Sequence, residues 1–458
     1  MKTQGRTLDM TEGKILPLML QFAIPVMLGH LFQNLYNLVD MTIAGYAIGD
    51  HAIAAISASH ALIMLINATA MGFNSGNTIL VSQAFGAKDL ERARRSFAGA
   101  AELCVMLAVL ATAVLLLTID PLLHLVKTPA GLMADARSYL LIMVTGLLAT
   151  MLYNMLAGVF RAVGNSKIPL VFLIVSSLLN VALDIVFMVP LNMGVAGAAW
   201  ATVLAQAISV VLSGVYLFVN YPWLRIKKED FRRNGGLLKD MLPMGVSIAV
   251  SNSLFAIGDI AVQGAVNGLG SDAIIAQAAA NKIKSFCITP SIGMANTCSA
   301  FAAQNYGARK LERISKGIKT GVLFNVVCNV VTYAIVFFFG APLIRFITNT
   351  DSAQVVTDGA LMLRIVCAFI FTQTIVMVYR MSLSSMKRKV IPIVGTAVEL
   401  VTRCFSAWVL VPLLGFLGIC FAEPLSWVIS GAVMVICYVY VTRQERRARE
   451  TQSQAVKE

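Results

Sequence analysis

The sequence predicts an all-α polytopic membrane protein, with twelve transmembrane helices in two pseudo-symmetric six-helix bundles. Three observations carry that expectation. Apolar residues make up 58% of the 458-residue chain and charged residues only 13%, where a soluble domain carries about 25% charged. Apolar segments long enough to cross a bilayer recur along the whole length. A motif that follows the second segment returns after the eighth, 221 residues later.

Taken in order, the segments fall at 15–41, 52–82, 97–119, 136–160, 168–189 and 194–219 in the first half. In the second they fall at 242–267, 272–302, 318–341, 357–384, 390–412 and 416–441. This divides the chain into an N-terminal bundle over residues 1–219, a basic cytoplasmic linker over 220–241, a C-terminal bundle over 242–441 and a cytoplasmic tail over 442–458. The polar start, Met1–Lys14, and a first apolar segment too long for a signal peptide and ending in no small-residue cleavage pattern lead us to expect a first span there and not a cleaved leader. With the N-terminus inside, 29 of the 36 Lys and Arg fall on inner segments and 3 on outer loops (Lys127, Arg137, Arg345). That asymmetry places both termini in the cytoplasm. It also explains the net charge of +13 as a membrane-face feature, with no nucleic-acid partner. The eight Cys lie in apolar segments without metal-ligand spacing and read as small buried hydrophobes.

Chemistry concentrates in the fifth segment. Asn180 and Asp184 are four residues apart and share a helix face. An ionised Asp inside a membrane costs roughly 2.5–3.5 kcal/mol on insertion scales, so it needs a partner, a proton or a cation. Asp40 in the first segment is the partner to look for. Simple solvation of Asp184 at the interface is the bland alternative.

The halves echo each other. Gln83, Gly86-Ala87-Lys88, Leu90-Glu91-Arg92 returns as Gln304, Gly307-Ala308-Arg309, Leu311-Glu312-Arg313. Phe160-Arg161 returns as Tyr379-Arg380, and Asp40 with Gly45 returns as Asp259 with Gly264. An even number of spans per half makes the repeat parallel, as in rocking transporters with a central cavity.

These residues identify a resemblance. Pro25, Leu35-Tyr36-Asn37-Leu38-Val39-Asp40 and Ala44-Gly45 in the first segment, Gly72-Phe73 and Gln83 with Gly86-Ala87 in and after the second, Arg161 with Gly164-Asn165, and Gly194, Gly197-Ala198 and Thr202 resemble the MATE family (multidrug and toxic compound extrusion) over essentially the whole chain. The resemblance implies a prokaryotic cell-membrane antiporter, bacterial or archaeal, that exports amphipathic, mostly cationic organic compounds in exchange for Na⁺ or H⁺. It implies no cofactor and no enzyme activity, and the chain is expected to act as a monomer in contact with membrane lipid. It further implies a cation site at Asp40, Asn180, Asp184, Ala198 and Thr202. Carboxylates, an amide, a hydroxyl and a carbonyl are hard oxygen donors suited to Na⁺ or to holding a proton. Asn180/Asp184 and Ala198/Thr202 are both i, i+4 pairs, and a structural polar network is the alternative reading. Pro17 and Pro25 lie in the first segment, where a proline permits a kink. In the family, bending of this helix is linked to its Asp.

The second half offers further candidates: Asp259, Glu399, Arg403 and Glu423. Some relatives pair an acidic residue of the seventh segment with an Asp of the tenth, but no Asp or Glu lies between Leu361 and Ser385 here. Asp259 is therefore expected to pair with Lys282 or Lys284, and Glu399 with Arg403 as a local i, i+4 ion pair. Glu423 aligns with Thr202 across the repeat, and it leaves open a second proton path. Glu102 is placed close enough to a helix end to be solvated. The 22 Met suit an adaptable binding pocket, although most face lipid or core. His30 and His60 read as single residues satisfied by neighbours. A lipid-linked oligosaccharide flippase of the same superfamily is the competing function, weakened by the scarcity of basic residues in the N-terminal spans. A membrane enzyme would need a nucleophile or metal motif such as HExxH or GxSxG, and a channel a filter sequence. None is present.

Overall fold

The computed structural model describes residues 7–48, 50–125, 128–232, 235–349 and 352–455. Lys2, Arg6, Lys127, Arg233 and Lys457, counted above, lie outside the described residues, as do the side chains of Asn37, Leu38, Ala44, Gly45, His60 and Arg449.

All twelve expected segments are helical. The first half holds α1 (Ile15–Ile48), α2 (Asp50–Gly86), α3 (Leu90–Leu125), α4 (Met133–Thr145), α5 (Leu147–Ala162), α6 (Lys167–Met188) and α7 (Gly194–Asn220). A short α8 (Lys228–Arg232) leads to α9 (Gly235–Asn267), α10 (Ser271–Cys287), α11 (Thr289–Gly307) and α12 (Leu311–Thr348). The chain ends with α13 (Ala353–Ala368), α14 (Ile370–Ser385), α15 (Ile391–Phe405), α16 (Val411–Leu414) and α17 (Phe416–Ala455).

Several spans are broken. The fourth bends by 49° between α4 and α5, and the tenth by 47° between α13 and α14. Gly146 sits at the first break, where a Cβ would lie 2.3 Å from Val203. The eighth breaks before Pro290, and the eleventh passes through a π turn at Ser406–Leu410 before Pro412, as proline and wide turns permit. Eight helices and the two bent pairs are long and apolar enough to cross a membrane. Helix α2 and the α10–α11 pair complete the twelve.

The chain forms two units, Met1–Met10 with Ile24–Ala249, and Thr11–Ala23 with Val250–Glu458. The first helix of each half thus begins in the opposite unit: α1 changes unit just before Pro25. The start of α9 lies against α2, where Gly76 would place a Cβ 2.6 Å from Gly245 N. Small residues on both sides let these backbones touch. In the second unit, Lys310 Nζ donates to the carbonyl of Thr11 at 2.9 Å and Arg313 to that of Glu12 at 2.8 Å.

The sequence repeat is also a backbone repeat. Lys88 and Arg309 both take φ of 61°. Ala87 N and Ala308 N donate to the carbonyls of Gln83 and Gln304, each at 2.9 Å. The basic linker is not loose. Tyr221 and Leu224 are buried, Trp223 stacks on Phe85, and Asp230 accepts from Arg94 Nε at 2.9 Å and Nη2 at 3.1 Å.

Candidate functional site

The first unit closes around α1, α4, α6 and α7. Ala198, Ala199 and Ala201 keep the buried face of α7 shallow, so α6 approaches it closely, and Asn180 and Asp184 are buried at 2% and 0% exposure. Ala198 and Ala199 join a buried cluster with Tyr139, Ile142, Met188 and Val203. This apolar wall excludes water on one side of the polar groups.

Asp40, Asn180, Asp184, Ala198 and Thr202 all fall in this one place. The carboxyl groups of Asp40 and Asp184 are close neighbours, each within direct electrostatic reach of the other. The Asn180 amide satisfies its surroundings with its nitrogen toward Asp184 Oδ2 at 3.1 Å and Tyr36 Oη at 2.6 Å, its oxygen accepting from Thr202 N at 3.1 Å. Thr202 Oγ1 donates to the carbonyl of Ala198 at 3.0 Å. Ala198 therefore acts by anchoring Thr202. Asp184 Oδ1 is buried with no hydrogen-bond partner, an open acceptor at the centre of an oxygen-lined group. The donor set fits a proton or Na⁺. Among the described residues no group of three or more His, Cys, Asp or Glu is placed to hold a metal ion.

Tyr36 is the residue sequence reasoning missed as a site member. Its signal was available: it stands one helical turn before Asp40, on the same face.

The second half differs from expectation. Asp259 pairs with Arg403, whereas Lys282 is exposed and Lys284 is bound to Glu423 at 2.7 and 2.8 Å. Glu399 pairs with Arg380 at 3.1 Å and accepts from Ser430 Oγ at 3.2 Å. The expected Glu399–Arg403 pair does not form, because Glu399 faces α14 and α17 while Arg403 reaches α9. Glycine makes room there: a Cβ at Gly258 would lie 2.9 Å from Arg403 Cδ. The guanidinium also covers the Phe255 ring at 4.1 Å, a cation–π contact. Each of the four second-half candidates is thus held in an inter-helix ion pair. Glu102 is also less solvated than expected, since its Oε2 is enclosed without a partner.

Two repeated helical bundles, with a buried carboxyl pair in one and closed ion pairs in the other, define a multi-pass membrane transporter. The profile of the MatE family matches twice, at residues 25–186 and 247–409. The chain belongs to that family, a family of transporters and not of enzymes. It is 29% identical over 343 residues to a probable multidrug resistance protein, YoeA, of Bacillus subtilis, covering 73% of this chain and 74% of the relative. Its fold matches a MATE crystal structure in the bent conformation with a TM-score of 0.90 at 21% identity, over 98% of this chain and 99% of that one. It also matches a MOP-superfamily transporter from Pyrococcus furiosus, described by a reversed polarity of its binding pocket. That TM-score is 0.89 at 22% identity, over 97% and 100% of the chains.

Proposed function

We propose that this chain is a secondary active antiporter that exports amphipathic, mostly cationic organic compounds in exchange for Na⁺ or H⁺, by alternating movement of its two bundles. The observation that carries the reading is the Asp40–Asp184 carboxyl pair, with Asp184 Oδ1 buried and unpartnered. A coupling cation, H⁺ or Na⁺, entering there meets oxygens already in position. Asn180 holds the Asp184 carboxyl and is itself held by Tyr36 and by the Thr202 N–H, and Ala198 fixes the Thr202 side chain through its carbonyl. Pro25 lies just past the point where α1 changes unit. It lacks the N–H that would continue the helix, so bending there is the route by which occupancy of Asp40 reaches the rest of α1.

The charge asymmetry supports placement in the cell membrane with both termini in the cytoplasm, and the protein works as a monomer among membrane lipids. Export of drug-like compounds is supported by what the curated relatives are named for. The flippase alternative needs free intramembrane cations for an anionic lipid carrier. Lys284, Arg380 and Arg403 each already carry a carboxylate partner, which weighs against it.

The test is ethidium efflux from proteoliposomes under a Na⁺ gradient and then a pH gradient, each alone. Export driven by one of them is expected, and Asp40→Asn and Asp184→Asn are each expected to abolish it in folded protein. Export under neither gradient would sink the antiporter reading, and wild-type rates in either variant would sink the site.

A further inference from the structure

One open cavity of about 290 Å³ in the second unit plays no part in the chemistry above. It lies where the start of α12, the later part of α14 and the second half of α17 meet, at the end of the unit that carries its positive charge. Lys319, Arg443 and Arg446 line it, together with Ser315, Tyr379 and Tyr438. None of the three cations forms an ion pair with a described residue, although neighbouring charges do: Arg388 pairs with Glu445 at 2.8 Å. The hydroxyl layer is ordered. Ser315 Oγ and Tyr438 Oη are hydrogen-bonded at 2.9 Å, and the Tyr379 ring meets that of Tyr438 edge-on at 5.1 Å. Three unmatched cations around hydroxyl donors suit a phosphate group: Arg supplies forked N–H pairs and Lys a mobile point charge.

The surface above the pocket says which phosphate. One turn beyond Lys319 on α12 stands Leu323, 66% exposed, followed by Val327 and Val330. Two turns before Arg443 on α17 stands Ile436, 67% exposed, with Tyr440 nearer the pocket. The same helix faces that carry the cations therefore continue as apolar surface, as required of a headgroup site with acyl chains lying above it. Basic pockets between transmembrane helices near a membrane face bind anionic headgroups in this way.

We propose that the Lys319–Arg443–Arg446 pocket binds the phosphate headgroup of an anionic phospholipid. The site is separate from the Asp40–Asp184 group and does not depend on its role. Native mass spectrometry of the full-length protein titrated with phosphatidylglycerol and with phosphatidylcholine tests it. Retention of phosphatidylglycerol over phosphatidylcholine is expected. The Lys319→Gln/Arg443→Gln/Arg446→Gln variant is expected to weaken binding on the order of 100-fold, from about fivefold per surface charge at low salt. Arg447→Gln, just outside the pocket, reports on general surface charge and should weaken binding by no more than about fivefold, against the far larger loss in the triple variant. Correct folding of the triple variant is checked by its thermal melt. Equal retention of both lipids, or equal phosphatidylglycerol binding by a folded triple variant, overturns the proposal. So does displacement of the lipid by millimolar inorganic phosphate, since the pocket would then be a free-phosphate site.

Discussion

Removing Glu399 tests whether the second-half charges are structural. Its side chain is 2% exposed and is held from two helices. Arg380 of α14 donates to it at 3.1 Å and also to Thr396 Oγ1 at 3.1 Å, while Ser430 of α17 donates at 3.2 Å. Breaking a buried pair by deleting one partner costs about 3–5 kcal/mol, because the other charge is stranded. Arg380 keeps 19% of its side-chain surface exposed and recovers part of its solvation, so Glu399→Ala is expected near the lower end, about 3 kcal/mol. At roughly 2–4 °C per kcal/mol for a unit of this size, the melting temperature in detergent should fall by about 6–12 °C. Glu399→Gln keeps an acceptor for Arg380 and Ser430 and loses only the charge assistance, about 1 kcal/mol. Arg380→Ala/Glu399→Ala should be more stable than Glu399→Ala alone. Melting is read as the monodisperse fraction surviving heating, with efflux measured in parallel. A Glu399→Ala protein that melts within 2 °C of wild type, or that keeps its melt and loses gradient-driven export, refutes the structural assignment.

Two further perturbations probe the first unit. Tyr36→Phe strands the Asn180 N–H at a site 2% exposed, which costs about 1–3 kcal/mol; gradient-driven ethidium efflux should fall about tenfold or more with the protein still folded, and unchanged ion dependence would remove Tyr36 from the site. Burial alone would raise the Asp230 carboxyl, but the hydrogen bonds from Arg94 and the Lys227 N–H outweigh it and hold it below the usual carboxylate range. A depressed carboxylate contributes stability in full above its unfolded value near pH 4, and loses it only as pH falls through the folded value. Trypsin cleavage around Lys227 and Lys228, taken relative to cleavage of an unstructured reference peptide at the same pH, should therefore be equally slow at pH 6 and pH 8, and faster at both in Asp230→Asn. A relative rate for wild type that rises sharply between those pH values contradicts the assignment.

Much of the helical framework was legible because a bilayer demands long apolar segments with all backbone groups paired internally. The breaks were legible only in part. Gly146 and Pro290 mark two of them, but Phe369, at the 47° bend between α13 and α14, carries no helix-breaking signal. In the site, Asn180 and Asp184 stood out because a carboxylate and an amide inside an apolar run are costly. Tyr36 did not, since an aromatic side chain on an apolar helix is as readily core as ligand. Partner choice in the second half was not legible at all. The spacing of Glu399 and Arg403 favours a local pair, and only the packing of α9, through Gly258 and Phe255, gives Arg403 a better one.

The repeat kept its backbone and changed its chemistry, and that difference bears on which half can exchange a cation. Lys88 and Arg309 hold the same turn, yet at the position of Thr202 the second half places Glu423. The charges of that half, Glu423 with Lys284, Asp259 with Arg403, and Glu399 with Arg380, each meet a cation that is part of the chain. A tethered ammonium or guanidinium cannot leave, so releasing such a carboxylate to a mobile ion requires separating a pair in a medium where separation is expensive. Asp40 and Asp184 have no resident cation among the described residues; they meet each other and a set of neutral donors and acceptors. Charge there is balanced only by something that arrives and departs. On the reading proposed above, coupling belongs to the first half because its carboxyls were left without a built-in cation, while those of the second half already have one.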